Sequence, residues 1–389
     1  MITIVLLVII YIAFISLGLP DGIMGVSWPA MRIDFDLPLD QIGIISLVVT
    51  VSTVLSSILS GYIINKIGTG LVTIISVFFT AAALLGISLM PSFWWLLLFA
   101  FPLGFGAGSI DTALNNYVAL HYKAIHMNWL HSFWGVGATL GPIIMSFTLL
   151  NSGWRNGFKT IAIIQFVFFG ILLISLPLWK KAGIAKDEIE EPQNTKPSKL
   201  LRIKGVPFAI SVFIVYCAIE FSVGIWGSSY LVGAKDMSVV SAAKVIAFYY
   251  GGITIGRFIS GLLTFKFNNR QMIYIGIFVV FIGALLINFK LSETLQLISF
   301  GIIGLGLSPI FPAMIHETPT SFGKQNSQYI IGYQMAGAYI GSSIFPPLFG
   351  LVAGRTTIAI FPYYILGLGI LLLIIVNALF LRIKNKDLL

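Results

Sequence analysis

Twelve apolar runs, each long enough to cross a bilayer, fill nearly the whole of this chain. They lie at about 3–30, 40–64, 70–90, 92–120, 128–150, 158–179, 207–233, 240–263, 271–289, 293–316, 326–352 and 358–381. Only 10% of the 389 residues are charged, where a soluble domain has roughly 25%. The mean hydropathy is +0.98. The surface of such a chain faces lipid, so the expected fold is an all-α integral membrane protein with twelve transmembrane helices. The first run lacks the basic flank of a secretory signal and continues past its length, so it is read as a retained membrane helix.

The one long polar segment runs from 180 to 206 and carries Lys180, Lys181, Glu190, Glu191, Arg202 and Lys204 among other charges. It divides the runs six and six. The expected organisation is a six-helix bundle over 1–180, a charged linker over 181–206 and a second six-helix bundle over 207–389. The net charge of +9 does not point to nucleic acid, because the basic residues lie between the apolar runs. With the N-terminus inside, fifteen Lys and Arg fall on the inner side and seven on the outer. That bias sets both termini and the linker in the cytoplasm. Loops this short fit a bacterial cytoplasmic membrane, and the expected state is a monomer. A single cysteine, Cys217, excludes an intrachain disulfide.

The halves repeat. Ser60-Gly61 recurs as Ser260-Gly261, Gly104-Phe105-Gly106 as Gly304-Leu305-Gly306, and Gly137 and Gly141 as Gly337 and Gly341, all at an offset of 200. By the same reading Asp21 matches Glu220 at 199, and Trp28 matches Trp226 at 198. Parallel repeats imply two pseudo-symmetric bundles that hold a substrate at the membrane midplane. The glycines suit close helix packing.

A carboxylate inside a membrane span is costly and marks function by default. Three stand out: Asp21, Asp111 and Glu220. Helical spacing puts Gly104, Gly108, Asp111 and Asn115 on one stripe of the fourth span, and Asn128, His131, Trp134 and Ala138 on one stripe of the fifth. Asp111 and His131 lie about one turn apart in depth, so a carboxylate–imidazole contact that holds and releases a proton is feasible, as is a fixed polar contact. Asp21, between Pro20 and Gly22, binds substrate hydroxyls, carries a proton, or pairs with backbone that Pro20 frees. Glu220 faces the same choice. Trp28, Trp134, Trp226, Phe311 and Tyr333 offer faces for a sugar ring, and Asn115, Asn116 and Gln334 offer amides for its hydroxyls; ordinary packing is the alternative for each aromatic. Arg257 is expected to pair with an acidic group or helix ends at a cytoplasmic gate. Asp34, Asp36 and Asp40 read as solvated loop residues. No phosphate loop, metal spacing or nucleophile triad is present, so the chain reads as no enzyme, with no cofactor beyond a coupling proton.

The segment Gly61-Tyr62-Ile63-Ile64-Asn65-Lys66-Ile67-Gly68 resembles the loop motif GxLaDrxGr of the major facilitator superfamily, with Asn65 for the usual acid. The resemblance makes Asn65 and Lys66 gating residues. Within that superfamily, Asp111-Thr112-Ala113-Leu114-Asn115-Asn116, Leu19-Pro20-Asp21 and Asn128-Trp129-Leu130-His131-Ser132-Phe133 resemble segments of the fucose–proton symporter group and related sugar permeases. Gly251 to Phe258 resembles their eighth-helix signature. The resemblance implies secondary active uptake of a sugar with protons, with sugar-binding and proton-coupling roles for Asp21 and Asp111. Its rivals are proton-driven efflux of amphipathic compounds and a receptor that moves nothing.

Overall fold

In a computed structural model of the chain, residues 2–21, 23–37, 41–181, 200–237, 239–289 and 292–384 are described. They are helical almost throughout: α1 (Ile2–Gly18), α2 (Ile23–Asp34), α3 (Ile42–Leu89), α4 (Phe93–His121), α5 (Ala124–Asn151), α6 (Trp154–Lys181), α7 (Val206–Lys235), α8 (Val239–Leu263), α9 (Asn269–Leu286), α10 (Glu293–Leu307), α11 (Ile310–Phe322), α12 (Lys324–Arg355) and α13 (Phe361–Lys384). Among the described residues, eleven helical stretches are long and apolar enough to cross a membrane. One of them, α3, has 48 residues. At 1.5 Å per residue that is about 72 Å, twice what a hydrocarbon core of about 30 Å needs. It breaks at Gly68, whose φ of 81° is open to glycine and strained for other residues. The stretch therefore supplies two spans, which gives twelve. The first span is α1 and α2 with a break that begins after Gly18, and the tenth is α10 and α11.

The chain divides into two compact units: Met1–Tyr117 with Leu130–Asn194, and Val118–Trp129 with Thr195–Leu389. This departs from the sequence expectation in one place, because the turn between α4 and α5 groups with the second unit. Residues 182–199, most of the expected linker, lie outside the described residues, as does Asp40.

In the first unit α3 packs on α6 and on α4, where Gly104 lies against the Val49 carbonyl and Thr53 Oγ1 donates to the Gly104 carbonyl at 3.0 Å. In the second unit α8 meets α10 in the same way, with Gly304 against the Tyr249 carbonyl. These contacts repeat at the offset of 200. The first helix of each unit does not. Gly137 and Gly141 of α5 lie on Ile15 and Leu19, whereas Gly337 and Gly341 of α12 lie on Ile210 and Ile214. Packing therefore matches α1 to α7 at an offset of 195. The offsets of 199 between Asp21 and Glu220 and of 198 between Trp28 and Trp226 therefore differ from the register in which α1 and α7 pack before the break.

An apolar core closes one end of the first unit, with Trp28, Leu84, Phe93, Met145, Trp154 and Phe158 buried together. Beside it Trp154 donates from Nε1 to Asp34 Oδ2 at 2.6 Å, and the Arg155 guanidinium lies 4.4 Å from the Trp154 ring centroid. Asp34 is thus tied into the end of α2 and is not a loop charge.

Candidate functional site

The first site begins with a missing donor. Proline has no N–H, so Pro20 cannot bond the carbonyl of Ser16 one turn earlier. The helix stops there: Leu19 N–H still reaches the Ile15 carbonyl at 3.1 Å, and Asp21 N–H turns back to the Gly18 carbonyl at 3.0 Å. The orphaned Ser16 carbonyl is taken by the side chain of Gln165 on α6. The Asp21 carboxylate, itself an acceptor, has its own donor. Trp134 Nε1 donates to Asp21 Oδ2 at 2.8 Å. The bond forms because Gly18 and Gly137 let the backbones of α1 and α5 touch. Asp21 is exposed and Trp134 half-buried. The structure thus couples Trp134 to the first-span carboxylate.

The second feature lies between α4 and α5. Asp111, Asn115 and His131 are 8%, 0% and 6% exposed. Asn115 Nδ2 donates to Asp111 Oδ1 at 2.8 Å and to the Asp111 carbonyl at 2.9 Å. Its Oδ1 lies 3.0 Å from His131 Nε2. Asp111 and His131, for which the sequence made a contact feasible, are therefore joined through an amide. The reason is helical spacing: Asn115 follows Asp111 by four residues and stands one turn nearer the α4–α5 turn. The amide also sets a polarity. Its nitrogen gives to the carboxylate and its oxygen accepts, so His131 Nε2 carries a proton. Phe14 closes the other side, edge-on to the His131 ring at 5.6 Å. Asn116 is buried as well, but one residue on it faces another direction.

The second unit holds a different arrangement. Glu220 on α7 and Arg257 on α8 form an ion pair, Oε1 to an Arg257 terminal nitrogen at 3.5 Å, with side chains 12% and 6% exposed. Tyr249 donates to the Glu220 carbonyl at 2.9 Å, and Tyr216, fully buried, sits beside the pair. Arg257 thus has an acidic partner, one of the two kinds expected for it from the sequence. The charge that sequence reading missed is Glu317 on α11. It is buried and holds Arg270 Nε at 2.8 Å and Asn269 Nδ2 at 3.2 Å. Its place at the predicted end of the tenth run hid it.

The remaining predicted contacts separate. Trp226 is committed to packing: its Nε1 donates to the Pro346 carbonyl at 2.8 Å and its ring covers Gly350. Trp28 belongs to the apolar core of the first unit. Both correct the expectation of a sugar platform. Phe311 packs on Phe213 and Tyr216, with centroids at 4.8 and 5.5 Å. Gln334 is fully buried; its Oε1 accepts from Thr318 at 3.1 Å and its Nε2 has no hydrogen-bond partner. Tyr333 is half-buried on the same helix. In the motif before Gly68, the Lys66 ammonium lies 4.3 Å from the Tyr62 ring centroid, and Asn65 is half-buried.

Comparison with known proteins gives a consistent result. The family model described as Major Facilitator Superfamily matches residues 10–315. The cis,cis-muconate transport protein of Acinetobacter baylyi is 22% identical, over 96% of this chain and 94% of that protein. The glucose/mannose transporter GlcP of Bacillus subtilis is 22% identical, over 69% and 68%. Among solved structures, FucP, a Major Facilitator Superfamily transporter crystallised in the outward conformation, superposes with a TM-score of 0.77 at 16% identity, covering 98% of this chain and 99% of that one. The E. coli fucose:proton symporter FucP in its N162A form gives 0.75 at 16%, over 97% and 98%. With more than half of its length matched by the family model, and with the twelve-span fold of its structural neighbours, this chain belongs to the major facilitator superfamily of membrane transporters.

Proposed function

We propose that the protein takes up a small polar solute, a sugar, together with protons by alternating access. The observation that carries this reading is the buried line Asp111–Asn115–His131. A carboxylate and an imidazole share one neutral amide inside membrane helices, where an uncompensated charge is costly. Neutralising either end changes the strength of the hydrogen bond at the other, so the line stores one proton in two alternative places. Asp111 is the leading carrier and His131 its partner. Asp21, held by Trp134 at a helix break, is the leading contact for substrate hydroxyls. Asn116, Gln334, Tyr333 and Phe311 supply further contacts, and Glu220 with Arg257 is a second titrating centre. Asn65 and Lys66 act in the gating motif. The sugar names carried by GlcP and by the fucose:proton symporter support the same substrate class.

A carboxylate-bearing solute is the second reading. The relative aligned almost end to end is named for cis,cis-muconate, and Arg257 is a buried cation within a span. The test is proton entry into proteoliposomes challenged with a panel of sugars and of organic acids, comparing intact protein with Asp111→Asn. Sugar-dependent proton entry that the variant loses supports the first reading. Entry with acids alone replaces it with the second. An imposed gradient that drives hydrophobic compounds the opposite way replaces both with efflux.

A further inference from the structure

We infer that Gln165 is a positioning residue for the Asp21 carboxylate, an inference that rests on Asp21 being a functional group of the transport site. Gln165 is 149 residues from Ser16 in sequence, yet the two make a reciprocal pair: Ser16 Oγ donates to Gln165 Oε1, and Gln165 Nε2 donates to the Ser16 carbonyl. Gln165 is 0% exposed and Ser16 1%. The carbonyl in question is the one that Pro20 leaves without its helical donor. A buried carbonyl with no donor has two ways out inside a membrane. The chain refolds locally until another N–H reaches it, or a neighbouring helix supplies one. Gln165 is that supply, and it allows the chain to stop at Pro20 with Asp21 turned towards α5.

With Gln165 in place Asp21 keeps Trp134 as its hydrogen-bond partner at 2.8 Å. Gln165 touches Ser16 and not the carboxylate, so its effect on Asp21 passes through the backbone between residues 16 and 21. Nothing in the apolar pattern of the sixth run marks it, because one amide among Ile163, Ile164, Phe166 and Val167 reads as a tolerated polar residue.

This makes a sharp prediction, because Pro20→Ala restores the missing N–H at its source. The measurement is labelling of Asp21 by a hydrophobic carbodiimide across pH, read by mass spectrometry on purified protein, which needs no knowledge of the substrate. Gln165→Leu is expected to move the pH midpoint by about half a unit or more, a threefold change in the protonation equilibrium. In the Pro20→Ala background the same replacement is expected to leave the midpoint where Pro20→Ala alone put it. Ser16→Ala, which keeps the carbonyl, is expected to retain the unsubstituted profile. If Gln165→Leu does not fold, Gln165→Met runs the same cycle at similar volume. An unchanged midpoint in the single variant overturns the inference. So does a shift of equal size in both backgrounds, which makes Gln165 a packing residue only. Failure of every sugar and acid in the transport assay leaves this result standing, so the two readings fail separately.

Discussion

Breaking the Glu220–Arg257 pair from its two ends has unequal consequences. The side chains are 12% and 6% exposed, so neither charge has water to fall back on when its partner is removed. Removing one partner of a buried pair costs about 3–5 kcal/mol. An arginine cannot shed its proton, so Glu220→Gln leaves a buried cation at any working pH, with Tyr216 beside it and the balancing carboxylate gone. Arg257→Met leaves a carboxylate, which can escape by taking up a proton. Starting from an ordinary glutamate near 4.3, neutralising it at pH 7 costs about 3.7 kcal/mol, and at pH 5 about 1 kcal/mol. The sign follows from proton counting. The folded variant binds a proton that the unfolded chain lacks at neutral pH, so its stability falls as pH rises, by about 1.4 kcal/mol per unit above pH 4.3. The assay is thermal unfolding of the detergent-solubilised protein at pH 5 and pH 7, followed by tryptophan fluorescence. Arg257→Met is expected to be clearly destabilised at pH 7 and largely restored at pH 5. Glu220→Gln is expected to show no such recovery, and Glu220→Gln/Arg257→Met to regain most of the loss at both pH values. A penalty for Arg257→Met that is equal at the two pH values would falsify the pairing argument, as would a double variant no better than either single one.

Other outcomes follow from the remaining contacts. Asn115→Leu removes the bridge between Asp111 and His131 and leaves both buried ends without it; proton entry driven by substrate is expected to fall at least tenfold, with a changed pH profile in proteoliposomes. Trp134→Phe keeps the ring but deletes the donor to Asp21, a hydrogen bond to a charged group worth about 1.5–3 kcal/mol; a roughly 10- to 100-fold weaker apparent substrate affinity in the same assay is the expected result. Gly141→Val and Gly341→Val each force a side chain onto a backbone carbonyl, of Leu19 and of Ile214; both are expected to lower the unfolding temperature, by overpacking that costs about 1–3 kcal/mol. Arg155→Ala removes a bond to the Met90 carbonyl of 2.7 Å and the stacking on Trp154, and is expected to destabilise the first unit by about 2 kcal/mol in the thermal assay.

The fold was legible because the signal that defines it is local. Transfer of about twenty apolar residues from water to lipid favours a membrane helix wherever they stand in a chain, and charge at the ends sets direction. Twelve spans and two halves could be read this way, and the motif before Gly68 by its resemblance to the superfamily's loop. So could the cost of Asp21, Asp111 and Glu220, since a carboxylate in a span is conspicuous without any knowledge of its neighbours. Spacing along one helix also put Asp111 and Asn115 on a single stripe.

What spacing could not reach is which stripe meets which. The offset of 199 between Asp21 and Glu220 is not the register in which α7 packs on α12, which Gly337 and Gly341 set against Ile210 and Ile214, and a sequence offset carries no information about that contact. Trp28 and Trp226 look like binding aromatics until the core around one and the Pro346 carbonyl beside the other are known. Arg257 was expected to meet an acidic group or helix ends, and only helix packing decides for Glu220. Composition and hydropathy determined that this chain is a twelve-span membrane protein, because burial in lipid is a property of each segment alone. The tertiary structure decided that Asn115 joins Asp111 to His131 and that Gln165 mends the break at Pro20, because a hydrogen bond between helices depends on where two backbones come close enough to share a proton.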